Sequence, residues 1–320
     1  VPVVLAVLVA ACTGDDGGPA GATTEPGPQP AEVAASLCEA TAVTDGPAAV
    51  QSEDVTELSG LVAGRRADDR WWAHNDSGNE ARLYAIGPAG EDLGSVAVEG
   101  AANVDWEDLA AGPGPDGGLL YVADIGDNTG DRDSVLVEVI AEPDPTGGLP
   151  PAVAVERTIE LTWPDGARDA EVLLVDAHTS ELVIVTRSFA GASEVYVADG
   201  LAGAPVELER VGAVDLREAA AVPSLDAPLV ARLGLGAATG GDTTEAGDAV
   251  ILRTYGTVLV WPRRRGQTVA EAIVENDPCE APSAFEPQGE AIAADPDGAG
   301  YRTISEGTRP PVNRFVARSP

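Results

Sequence analysis

An acidic residue recurs at the head of short apolar runs along this chain, and that repeat limits the folds open to it. It occurs in Glu57-Leu58-Ser59-Gly60-Leu61-Val62, Trp106-Glu107-Asp108-Leu109-Ala110 and Asp169-Ala170-Glu171-Val172-Leu173-Leu174. It returns in Thr239-Gly240-Gly241-Asp242 and in Gln288-Gly289-Glu290-Ala291-Ile292-Ala293. From Glu57 through Glu107, Glu171 and Asp242 to Glu290 the steps are 50, 64, 71 and 48 residues. Between the heads lie more short runs rich in Val, Ile, Leu and aromatics, cut by Gly, Pro, Asp and Asn, which read as strands. No extended stretch has a 3.6-residue period. Degenerate repeats of this length, made of strands alone, predict an all-β chain folded as a β-propeller.

The heads predict five blades, or six if residues 217–241 hold one more. The first blade reads 58–62, 70–74, 81–86 and 93–98, the second 106–111, 119–124, 134–140 and 155–162. The third reads 171–175, 181–186, 194–198 and 206–211, and the fourth carries 249–255 and 257–261. The last has only three strands, 290–294, 300–305 and 314–318. An open ring leaves unpaired sheet edges, so a strand from between Cys38 and Glu53 is expected to complete the last blade.

The chain of 320 residues is long enough to bury a full core. Its net charge of −34 excludes nucleic acid and anionic membrane surfaces as partners. All 19 basic residues are arginine. Residues 1–11 are almost wholly apolar and end in Val9-Ala10-Ala11-Cys12, a pattern that resembles a bacterial lipobox with Cys12 as the lipidated residue. Residues 12–36, largely Gly, Pro, Ala, Thr and acids, read as a disordered tether, and residues 37–320 as the propeller. The protein is then extracytoplasmic, held to the membrane by lipid alone, and monomeric. With Cys12 spent on lipid, Cys38 and Cys279 remain as an even pair in an exported chain, and joining the chain ends in a ring brings them together. A disulfide is expected.

First strands line a propeller's channel, so Glu107, Glu171, Asp242 and Glu290 are expected to meet there, with Glu57 and Asp108 nearby. Gathered like charges call for a cation, and oxygen ligands without His or Cys suit Ca²⁺. The competing reading is that these acids cap backbone amides or pair with Arg187, Arg253 and Arg302. Ends of second strands form another cluster. His74, Asn75 and Asp76 stand in the first blade, Asp124, Asp127 and Asn128 in the second. Arg187, Arg253 with Tyr255, and Ser305 with Glu306 follow. Of these, His74, Asp76, Asp124 and Glu306 are the acid–base candidates, and Asn75, Asn128, Arg187, Arg253 and Tyr255 the ligand-binding candidates. Asn-Asp-Ser-Gly and Gly-Asp-Asn-Thr-Gly are also ordinary turn chemistry.

The segments Ser59-Gly60-Leu61, Trp71-Trp72-Ala73-His74-Asn75-Asp76-Ser77-Gly78 and Tyr121-Val122-Ala123-Asp124-Ile125-Gly126-Asp127-Asn128 resemble a family of bacterial secreted β-propeller lipoproteins. More distantly, Pro287-Gln288-Gly289-Glu290-Ala291-Ile292 is similar to the strand-opening motif of phytase-like and esterase-like propellers. That resemblance implies calcium ions at a channel mouth. The function expected is a membrane-anchored propeller whose mouth binds a polar small molecule, a glycan or a cell-surface protein, with Ca²⁺. The alternative is a propeller hydrolase, a phosphoesterase or glycosidase using the same carboxylates.

Overall fold

The computed structural model describes Val1 and residues 29–43, 48–67, 69–114, 118–189, 192–198, 205–216 and 233–318. The lipidation expected at Cys12 lies outside these residues, as does the tether up to residue 28. Where the expected tether is described, from Pro30, it is helix α1 (Pro30–Cys38). Pro30 suits a first helical position, and the Glu32 carboxylate accepts the Gln29 N–H at 2.9 Å. Ala34 and Leu37 then share a buried face.

Two short strands follow, β1 (Thr41–Ala42) and β2 (Ala48–Ala49). The remaining strands fall into antiparallel units of four. The first is β3 (Leu58–Ala63), β4 (Trp71–Asn75), β5 (Arg82–Ile86) and β6 (Asp92–Glu99). The second is β7 (Trp106–Gly112), β8 (Leu119–Asp124), β9 (Ser134–Ala141) and β10 (Ala152–Thr162). The third has β11 (Ala170–Val175), β12 (Leu182–Thr186) and β13 (Ser193–Ala198). The strand expected over 206–211 is divided there. The piece β14 (Val206–Glu207) pairs in parallel with β10, and β15 (Glu209–Val214) takes the outer edge of the third unit. The fourth unit is β16 (Ala238–Thr243), β17 (Ala249–Thr254), β18 (Val258–Pro262) and β19 (Cys279–Ala281). Helix α2 (Val269–Glu275) lies between its last two strands.

The last unit contains β20 (Gly289–Ala294), β21 (Gly300–Ser305) and β22 (Pro311–Val316). Its outer edge is filled from the N-terminal side, with Thr41 opposite Val316 and Ala48 opposite Val312. This is the closing strand expected between Cys38 and Glu53. Outer strands β6 and β10 also pair in parallel, which covers two further edges.

First strands β3, β7, β11, β16 and β20 lie side by side in that order, and β20 returns to β3. A hydrophobic cluster fills every seam. Trp72 and Val62 meet Trp106 and Leu109, and Tyr121 and Val137 meet Leu173 and Ile184. Val172 and Leu174 meet Val250 and Leu252, Ile251 meets Ile292 and Tyr301, and Ala291 and Ile304 meet Leu58 and Trp71. Each fully buried side chain of this kind contributes roughly 1.5–3 kcal/mol, so every unit draws stability from both neighbours. Strands meandering outward from a closed inner ring make the chain mostly β and define a β-propeller. Cys38 is bonded to Cys279 with a Cα separation of 6.0 Å, which ties α1 to β19. Such a bond belongs to an oxidising, extracytoplasmic setting. No helix among the described residues is long and apolar enough to cross a membrane.

Candidate functional site at the propeller mouth

Every first strand slips register at its head. The shift falls between Leu58 and Leu61, Trp106 and Asp108, Ala170 and Val172, Ala238 and Gly240, and Gly289 and Ala291. A bulge leaves one residue out of the ladder and re-aims its side chain. The residues set aside are Ser59, Glu107, Glu171, Thr239 and Glu290. Ser59 and Thr239 spend their hydroxyls on the next strand, donating to the Glu107 carbonyl at 2.5 Å and the Gly289 carbonyl at 2.9 Å. The three glutamates keep their carboxylates for the mouth.

Glu107 is the centre of this arrangement. One carboxylate oxygen each from Asp76, Asp105 and Glu107 lies within 4.8 Å of the others, and the same holds for Glu107, Asp169 and Glu171. Gly126 faces them with no side chain; a Cβ there would stand 2.1 Å from Glu107 Oε1 and 2.5 Å from Asp105 Oδ2. Arg187 neutralises the second group. Its Nη2 lies 2.6 Å from Asp169 Oδ2, its Nη1 pairs with Glu171, and it also donates to Asn128. Among the described residues no arginine is in salt-bridge contact with the first group; Arg132 is bonded to Asp124 at 2.7 Å and acts on Asp105 from there.

Burial, then the charges of Glu171, Asp76 and Asp105, holds the Glu107 carboxyl well above the usual range. Glu171 is raised chiefly by burial, against the pull of Arg187. Asp76 and Asp105 are raised too, again mainly by burial. Burial alone would lower Arg187, but Glu171 and Asp169 outweigh it and hold the guanidinium charged.

Across the mouth, Tyr255 donates its hydroxyl to Glu290 Oε1 at 2.9 Å. Glu306 stands beside Glu290, and burial together with the Glu290 charge pushes it up to about 8. Burial also raises Glu290 itself.

Other expected site residues lie elsewhere. Asp242 does not join the channel carboxylates, because the bulge of β16 falls at Thr239. Asp242 lies further along β16, lining a separate pocket with Val62, Arg65, Ala111 and Ala294. It accepts the Thr243 and Ala294 N–H groups at 2.8 and 2.9 Å, and desolvation pushes it up to about 7. Asp108 likewise binds the Leu109 and Leu173 amides, both at 2.9 Å. His74 is absent from the rim. It is fully buried, edge-on to Trp106 with ring centres 5.4 Å apart, and burial lowers it to about 4, so it is neutral. A side chain at Gly60 would collide with its ring.

Asn75 is buried in turn chemistry, accepting the Thr56 and Glu57 amides. Asp124 is buried under Arg132 and accepts the Val104 and Asp105 amides. Asp127 accepts the Asp131 and Arg132 amides, both at 2.9 Å, as a turn residue. Arg253 is buried beneath Gly289, bonded to Glu286 at 2.8 Å and to the Ala291 carbonyl at 2.9 Å. The mouth therefore gathers Asp76, Glu107, Asn128, Arg187, Glu171, Tyr255, Glu290 and Glu306 from the expected set. It adds Asp105 and Asp169, whose acid-x-acid spacing to Glu107 and Glu171 is visible in the sequence.

A closed ring of sheets with carboxylates at one mouth places the chain among β-propellers capable of holding a metal ion. No protein-family model matches the chain, and none of the curated proteins does. Among solved structures, hydrazine synthase of Kuenenia stuttgartiensis is similar over 87% of this chain and 99% of its own, with 12% identity and a TM-score of 0.42. Luciferin-regenerating enzyme is similar over 85% and 96%, with 10% identity and a TM-score of 0.43. The assignment to propellers rests on the sheet topology given above.

Proposed function

We propose that this chain is a five-bladed, lipid-anchored extracytoplasmic propeller of the secreted lipoprotein type whose mouth binds a divalent cation and, through it, a polar ligand. The observation that carries the reading is the sharing of Glu107 between two carboxylate groups, of which, among the described residues, only one is in salt-bridge contact with an arginine. The cation belongs with Asp76, Asp105 and Glu107, since a hard ion competes poorly where Arg187 already supplies positive charge. Carboxylate oxygens and an open side fit Ca²⁺, which takes six to eight oxygen ligands and leaves positions for those of a ligand.

The test is thermal unfolding of the full chain, stripped with EDTA and titrated with CaCl₂. Binding to the folded state alone stabilises by about 2.7 kcal/mol at a hundredfold excess over Kd. Glu107→Gln is expected to abolish that gain while leaving the circular dichroism unchanged. An equal calcium response in the variant overturns the cation reading.

A further inference from the structure

The side of the mouth away from Asp105 is built differently. Glu290 is 5% exposed, and apart from the Glu306 carboxyl no polar group among the described residues reaches its Oε2. Its other oxygen is fixed by the Tyr255 hydroxyl. Two buried carboxylates in contact do not both ionise; one proton stays between them. Glu306 is the more exposed of the two.

We infer that Tyr255, Glu290 and Glu306 form a second pole of the mouth, which presents a proton to the ligand and, together with the cation pole, selects a neutral, hydroxyl-rich glycan over a phosphorylated compound. The ligand class rests on the cation reading above; the acid pair stands without it. Charge decides the selection. Glu57, Asp76, Asp105, Glu107, Asp169, Glu171, Glu290 and Glu306 surround the opening. Among the described residues Arg187 is the one arginine in salt-bridge contact with them, and Arg132 acts on Asp105 at longer range. Arg132 and Arg253 are bound to Asp124 and Glu286 instead.

One divalent ion and one shared proton leave the mouth negative, and a phosphate ester with its near-double charge is repelled. Sugar hydroxyls suit both poles. Their oxygens can enter the coordination sphere of Ca²⁺, and their O–H groups donate to carboxylates that lack donors. Glu306 then donates to a sugar hydroxyl when it holds the shared proton and accepts from one when Glu290 holds it, while Glu290 itself stays buried under Tyr255.

The full chain is tested at pH 7 on an array of neutral oligosaccharides and their phosphate-bearing counterparts, in CaCl₂ and in EDTA. Wild type and Glu306→Gln, which keeps a neutral hydrogen-bonding group, are expected to bind the neutral set in calcium. Glu306→Ala is expected to bind at least tenfold more weakly while keeping the full calcium-dependent gain in Tm. The infrared difference between wild type and Glu306→Gln should also show the loss of one protonated carboxyl band, over those that the other buried acids keep. Preference for the phosphorylated set, failure to bind either set, or wild-type binding by Glu306→Ala overturns the inference. Glycan binding that needs Glu306 but not calcium keeps the acid pair and removes the cation reading alone.

Discussion

Arg253→Met tests whether the guanidinium beneath the mouth is a support rather than a ligand contact. Arg253 and Glu286 have side chains 3% and 1% exposed and lie 2.8 Å apart. Glu286 also accepts the Thr303 hydroxyl at 2.6 Å and the Asn313 amide, so the pair fastens β20, β21 and β22 together. Removing the cation leaves Glu286 charged and buried, which costs about 3–5 kcal/mol. For a domain of this size each kcal/mol lowers Tm by roughly 2 °C, so the variant should melt about 6–10 °C lower in EDTA. The double variant Arg253→Met/Glu286→Leu replaces the pair with apolar groups and should recover most of the loss. Scanning calorimetry on the three proteins decides the matter. A single variant within about 1 kcal/mol of wild type, or a double variant worse than the single, refutes the argument.

Two further outcomes follow from the same structure. Cys38→Ser opens a loop with a sequence separation of 241 residues and should lower stability by up to about 5 kcal/mol, read from urea melts with and without reductant; coincident melts would count against the bond. Glu306→Gln should change how stability depends on pH. A carboxyl raised in the folded state from 4.5 to about 8 contributes stability fully below 4.5 and loses it as pH rises through about 8. The wild type in EDTA should therefore weaken between pH 5 and pH 8 more than the variant does, and parallel Tm curves would contradict this.

The repeat and its closing strand were legible because strand heads, turns and apolar runs are local signals. The precise aim of side chains was not. His74 belongs to β4 and is packed inside the wall, whereas Asp76 follows the last residue of that strand and reaches the mouth from the turn. Asp242 differs by register: on β16 the bulge falls at Thr239, three residues earlier, and the sequence does not show which residue of a strand head leaves the ladder. Helix α1 is hard to see in the sequence because Gly and Pro crowd the residues before it, although Gln29 and Glu32 carry the spacing of a capped first turn.

The repeated bulge has a consequence for how such a mouth diversifies. Ser59, Glu107, Glu171, Thr239 and Glu290 occupy equivalent positions outside the ladder, so their backbone pairing does not depend on what they carry. The fold thus offers equivalent slots that are exchangeable one at a time, three now carrying mouth acids and two carrying hydroxyls bonded to the next strand. A change of ligand in related chains needs no new loop and no rebuilt core, only different side chains in these slots.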